Sequence, residues 1–106
     1  MSTPILIDKQ AILSKLKANR QHFKNLYVKR LGLFGSFSRG DQSDESDIDL
    51  LVEFQDGKKN FDNFMAVSFS LDDLFTQKVE LVTLASLSST MQSHILEDIE
   101  YVEIYA

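Results

Sequence analysis

The sequence predicts an α/β (α+β) fold, one small β-sheet with helices packed on it. Three observations carry that expectation. Apolar residues recur at helical spacing in two long segments, alternate strictly with polar ones in another, and helical and strand patterns follow one another along a chain of 106 residues. That length suits one domain, 1–106, with a single small core.

The first segment, Asp8 to Leu26, places Ile12, Leu13, Leu16, Phe23 and Leu26 at helical intervals, with Lys15, Lys17, Arg20 and Lys24 on other faces. It predicts one amphipathic helix, with Asp8 or Thr3 as N-cap. The run VKRLGLFG then turns β-rich, with Leu31 and Leu33 on one face and Phe34 on the other, and predicts a central strand ending at Gly35. From Ile48 to Phe54 the alternation is strict: Ile48, Leu50, Val52 and Phe54 share one face, and Asp47, Asp49, Leu51 and Glu53 share the other. Asp56-Gly57 marks a turn. Phe61, Phe64, Met65, Val67, Leu71, Leu74 and Phe75 then predict a second long helix, its rings mainly core with some free to face a partner. KVELVTL reads as a third strand, Met91 to Asp98 as a short helix and YVEIY as a last strand.

Composition narrows the function. Apolar residues make up 43% and charged residues 25%, a globular balance. The longest apolar runs are three or four residues, far below the ~20 that span a bilayer, and no leader pattern is present, so a soluble cytoplasmic protein without membrane association is expected. The absence of cysteine excludes disulfides and thiolate metal sites. A net charge of −5 argues against direct nucleic-acid binding and favours a protein partner or a metal-bound anion.

The chemistry concentrates in GSFSRGDQSDESDIDLLVEF, residues 35–54. Asp47 and Asp49 stand two apart on a predicted strand, so their side chains leave one face with Cα atoms about 6.5–7 Å apart. Two carboxylates at that separation converge on a divalent cation, and oxygen-only ligands select a hard ion such as Mg²⁺. Glu80, the lone charge within Val79–Leu84, adds a third carboxylate if its strand lies beside Ile48–Phe54; its other reading is an outward residue on an edge strand, paired with Lys78. Gly35-Ser36 follows a strand and opens a short helical segment, where a bare backbone, a hydroxyl and free N–H groups suit phosphate, and Arg39 adds positive charge. Asp41, Asp44 and Glu45 read as a solvated spacer. A calcium loop over Asp41–Val52 fails, because Ser46 stands where the sharp turn needs Gly and Val52 where a bidentate Glu is needed. His22 and His94 lie on helices without partner motifs.

Gly35-Ser36, then ten residues, then Asp47-x-Asp49 resembles the signature of the DNA polymerase β-like nucleotidyltransferases, and FGSFSRGDQSDESDIDLLVEF in particular resembles the minimal nucleotidyltransferases that act as antitoxins, of the MntA type, to HEPN toxins. The likeness extends over nearly the whole chain. It implies a mixed sheet with helices on one side. It also implies Asp47 and Asp49 as Mg²⁺ ligands bridging nucleotide phosphates, two ions in all, and Gly35 and Ser36 as holding the β- and γ-phosphates of ATP. Arg39 matches the Arg usual in the short helix. Glu80, as third metal ligand or as base for the attacking hydroxyl, stands where many relatives have Asp. The implied activity is AMP transfer from ATP to a tyrosine of a HEPN ribonuclease within a hetero-oligomeric complex, since so short a chain leaves no evident acceptor pocket. Two other functions fit the same motif: an antitoxin that neutralises its toxin by binding alone, and a nucleotidyltransferase of a small-molecule acceptor.

Overall fold

A computed structural model describes residues 7–105 of the chain. Helix α1 (Lys9–Ala18) is followed at once by α2 (Arg20–Asn25), then β1 (Val28–Phe34), the short α3 (Ser36–Arg39), β2 (Ile48–Phe54), α4 (Phe61–Leu74), β3 (Val79–Val82), a 3-10 turn at Leu84–Ser86, α5 (Ser89–Asp98) and β4 (Glu100–Glu103). The expected α/β architecture is present as a four-stranded mixed sheet in the order β3-β2-β1-β4. β1 pairs antiparallel with both β2 and β4, whereas β2 and β3 run parallel. The parallel step requires a crossover, and α4 supplies it.

Local chemistry sets the helix starts. Asp8, Asn60 and Ser88 accept from the backbone N–H groups of Ala11, Asn63 and Met91, each three residues on. Thr3, the other N-cap candidate, lies outside the described residues. The single helix expected over Asp8–Leu26 is divided: Asn19 leaves helical geometry (φ −105°, ψ 17°) and its side-chain amide donates to the Lys15 carbonyl at 2.8 Å. An asparagine side chain competes for helix carbonyls in this way, so the break has a local cause. The third strand is also shorter than KVELVTL, because Leu84 turns into the 3-10 segment.

The main core lies between one sheet face and the helices. Leu31 and Leu33 of β1, Ile48, Leu50 and Val52 of β2, Ile12 and Leu16 of α1, and Val67 and Leu71 of α4 are all buried there. Phe23, Phe37 and Phe75 join that core, while Phe61 and Phe69 are 75% and 62% exposed. The aromatic-rich helix is therefore divided between core and surface.

The opposite sheet face differs in character. By alternation it carries Arg30, Gly32 and Phe34 from β1 and Asp49, Leu51 and Glu53 from β2. Leu51 is buried on this side, apart from the main core. Gly32 has no room for a side chain, because Ile99 fills the space a Cβ would take. Ile99 follows α5, whose Ile95 is likewise buried outside the main core. Helices thus cover one face as expected, but α5 with Ile99 also shields part of the other. Arg30 bridges Glu53 and rests 4.0 Å over the Tyr101 ring, closing the far end of that face. Arg30 is held in its charged form first by the hydrogen bond to Glu53, against the cost of burial. Asp49 lies at the other end of that face from Arg30, beyond Gly32 and opposite Phe34.

Candidate active site

β2 opens the site. Asp49 is its second residue, half-buried, and Asp47 immediately precedes it, also half-buried. The strand phase that buries Ile48 and Leu50 turns Asp49 to the open face. The parallel register then sets Glu80 of β3 directly beside Asp49, and the antiparallel register sets Phe34 of β1 on its other side. Neighbouring strands lie about 4.8 Å apart, so the Asp49 and Glu80 carboxylates leave adjacent positions of one face. Glu80 belongs to the edge strand, is exposed, and reaches Lys78 at 4.0 Å. Both sequence readings of Glu80 thus hold geometrically: it is an edge residue near a lysine and also the nearest strand neighbour of Asp49.

The electrostatics follow. Burial pushes the Asp49 carboxyl up from 3.8 to about 6, the negative charges of Glu80 and then Asp47 push the same way, and Arg39 opposes them. Three of the other residues singled out in the sequence, Glu80, Asp47 and Arg39, therefore act on Asp49.

Gly35 links this acidic group to the next element. It adopts φ 78°, ψ −154°, a conformation that favours glycine, and a Cβ there would collide with the Asp49 carboxylate, 3.2 Å from its Cγ and closer still to Oδ2. The bare backbone of Gly35 and the Asp49 carboxylate are in direct apposition. Ser36 opens α3, and the chain turns back after one turn because Gly40 takes the left-handed conformation (φ 83°). The Ser38 and Arg39 N–H groups donate to the Gly35 carbonyl, each at 3.1 Å, whereas those of Ser36 and Phe37 have no acceptor within the helix.

Arg39, at the end of α3, bonds Asp41 at 3.2 Å and Asp98 of α5 at 3.5 Å, and these carboxylates raise its pKa, the Asp41 hydrogen bond first. Asp41 is thus more than spacer: it holds the arginine. Asp98 has no sequence signal of its own and was not expected, being 59 residues from its partner. Ser38, buried, donates from its hydroxyl to the Asp98 carbonyl, which fixes α3 against α5. Asp44 and Glu45 are exposed, as a solvated spacer would be.

The donor set suits a hard cation: carboxylate oxygens without a thiolate, one of them raised in pKa by burial and then by its like-charged neighbours, against a backbone with space for nothing larger than glycine. As the side chains stand, no three His, Cys, Asp or Glu residues among the described ones are gathered on one point. Asp49 and Glu80 are partners on adjacent strands, and Asp47 immediately precedes β2.

The chain's relationships agree with this geometry. Residues 14–103 match the model of the family described as Polymerase beta, Nucleotidyltransferase. A protein of Methanocaldococcus jannaschii, named provisionally as a protein adenylyltransferase, is 36% identical over 82% of this chain and 90% of its own length. Protein adenylyltransferase MntA of Thermococcus cleftensis is 31% identical over 88% of this chain and 94% of its own. Among solved structures, one described provisionally as a minimal nucleotidyltransferase superposes with a TM-score of 0.75 at 23% identity, covering 92% of this chain and 98% of that one. A variant of the toxin-antitoxin MntA-HpeT gives 0.60 at 23% identity, covering 92% and 72%. The match over most of the chain and the relatives above 30% identity settle the matter: the chain belongs to the polymerase β nucleotidyltransferase family and is a nucleotidyltransferase.

Proposed function

We propose that the chain is a protein adenylyltransferase and antitoxin, which transfers AMP from ATP to a tyrosine of a cognate HEPN ribonuclease toxin and so silences it. The observation that carries this reading is the side-by-side placement of Asp49 and Glu80 with Gly35 against the Asp49 carboxylate. The names of the relatives, protein adenylyltransferases at 31% and 36% identity, support the acceptor class. A fold shared with a toxin-antitoxin complex fits a partner toxin in a hetero-oligomer. None of the described helices is long and apolar enough to cross a membrane, which is compatible with a cytoplasmic, single-domain enzyme.

In this reading Asp47, Asp49 and Glu80 hold Mg²⁺, two ions, which when bound neutralise charge on the triphosphate and polarise the α-phosphorus. The Gly35-Ser36 backbone, with the Ser36 hydroxyl, receives the β- and γ-phosphates. Arg39 is kept charged beside them by Asp41 and Asp98. Glu80, on the open edge strand, is where an acceptor can approach, and its carboxylate takes the tyrosine proton as the phenolic oxygen bonds to the α-phosphorus. The α–β phosphoanhydride breaks in the same step and pyrophosphate leaves. Positioning supplies most of what the protein itself contributes.

The direct test incubates the chain with its toxin, ATP labelled at the α-phosphate and Mg²⁺. Label on the toxin, lost on mutating its acceptor tyrosine and lost with Asp47→Asn/Asp49→Asn, is expected. No transfer by a folded, toxin-bound protein, or full protection of cells by the double variant, refutes the reading.

A further inference from the structure

β3 is an outer strand of the sheet, and its backbone has a bonded side and a free side. The Lys78 carbonyl accepts from the Ile48 N–H at 2.8 Å, which begins the parallel ladder to β2. In such a ladder alternate residues turn both backbone groups to the partner strand, so Glu80 bonds to β2 while Val79 and Leu81 present their N–H and C=O outwards. No other backbone group among the described residues bonds to them. Two free donor and acceptor pairs thus flank the residue that stands beside Asp49. β3 has neither proline nor bulge, two of the devices that blunt a free edge.

The two faces of this edge differ. Glu80 stands on the open face with Asp49, whereas Val79 and Leu81 turn to the helices and pack against the main core. On the helix side a cavity of about 470 Å³ opens towards the end of β3. Its lining includes Phe54, Phe64 and Leu81, all partly buried, and Phe61, which is 75% exposed. Lys59 borders the same cavity, and Lys78 stands at the other end of the strand. A chain of net charge −5 therefore presents a cation at each end of this edge.

Resting on the nucleotide-transfer reading, we infer that the free edge of β3 receives, as a fifth strand, the extended segment of the acceptor protein that carries the modified tyrosine. Residues of an added strand alternate between the same two faces. The residue opposite Glu80 stands on the open face about 4.8 Å from it, so a phenol there lies beside the acidic group. Its neighbours one and three positions along stand on the helix side, where an apolar side chain enters the cavity at Phe61 and Leu81. The acceptor is therefore read by spacing: a tyrosine and an apolar residue an odd number of positions apart, with acidic residues at the ends facing Lys59 and Lys78. A small-molecule acceptor leaves the Val79 and Leu81 backbone pairs unused, and a docked helix has no free backbone groups to offer them. An extended segment is the occupant that uses the edge and the cavity together.

Residue-resolved amide exchange of the unmodified chain, alone and mixed with its intact toxin, tests the added strand. The Val79 and Leu81 amides are expected to exchange fast in the free chain and at least about tenfold more slowly in the complex. Toxin-concentration dependence of label transfer tests the cavity. Phe61→Ala, an exposed change, is expected to raise KM for the toxin at least about tenfold, with the single-turnover rate at saturating toxin and the affinity for ATP near wild type. Phe69→Ala, exposed on α4 but outside the cavity, is expected to leave KM as it is. Fast exchange at Val79 and Leu81 in a complex that still transfers label overturns the inference and leaves the transfer reading standing, as does an unchanged KM in Phe61→Ala. Slow exchange of these amides in the free chain that deepens with its concentration also overturns it, and gives the edge to a second copy. Absence of any transfer to the toxin by the unmodified chain overturns the inference together with the reading beneath it.

Discussion

Replacing Asp49 by asparagine is expected to stabilise the metal-free protein while abolishing its activity. The carboxyl is raised from 3.8 to about 6, by burial first and by the charges of Glu80 and Asp47 next. A rise of about two in pKa corresponds to at most ~3 kcal/mol of disfavoured ionisation. Asp49 is only half-buried, so solvent screening reduces this to about 1–1.5 kcal/mol. The sign is unusual for an aspartate. At pH below 3.8 the group is protonated in both the folded and unfolded chain, and Asp49→Asn changes little. As pH rises from 3.8 to about 6 the unfolded chain ionises while the folded protein resists, so the wild type loses stability relative to the variant across that window, and the difference is complete above about 6. A domain of this size shifts by about 4–8 °C in Tm per kcal/mol, so the variant should melt roughly 5–10 °C higher near neutral pH. Thermal melts in EDTA, read as the difference between variant and wild type across about pH 4 to 8, isolate this one group from the rest. A difference that does not change with pH, or a variant that melts lower at neutral pH, refutes the argument that like-charge crowding and burial set the Asp49 environment.

Mg²⁺ should narrow that difference by raising the wild-type Tm and leaving Asp49→Asn nearly unmoved, as a metal titration followed by melting would record. Gly35→Ala should cost about 1–3 kcal/mol in denaturant melts, from its left-handed backbone and the collision with Asp49, and should remove ATP binding in calorimetry. Glu80→Gln should leave the Tm within about 1 kcal/mol of wild type, since an exposed pair with Lys78 at 4.0 Å contributes little. The same variant should slow AMP transfer by roughly 10²–10⁴-fold with ATP affinity nearly kept, as single-turnover rates would show. Ser38→Ala should cost about 1–2 kcal/mol, because the Asp98 carbonyl loses its buried donor, and hydrogen exchange should speed up at the end of α5.

How much of this was legible in the sequence depends on the range of the interaction. The alternation of Ile48, Leu50 and Val52 against Asp47 and Asp49 is a property of one short segment, and it fixed both the strand and the direction of its carboxylates. The helical stripes of α1 and α4 were readable for the same reason. The division at Asn19 was overlooked, because apolar spacing continues across it and only the asparagine side chain marks the break. That Glu80 joins Asp49 depended on strand order, and periodicity carries no information about which strands pair. The pressure of Asp49 on Gly35 and the hold of Asp98 on Arg39 join distant parts of the chain. The role of Asp98 exists only where α3 and α5 meet, and no local pattern marks it.

The shortness and position of β3 set where the site is weakest. Four residues joined to a single neighbour make up the outer strand that carries Glu80, while Asp49 stands on a strand paired on both sides and Asp47 immediately precedes it. The cooperative unit that keeps Asp47 and Asp49 in place is thus nearly the whole sheet, but Glu80 is kept by one short ladder at its margin. Local opening of that margin disassembles the acidic group without unfolding the core. Residue-resolved exchange under native conditions would therefore report separate lifetimes for an intact fold and an intact site, the second being the shorter.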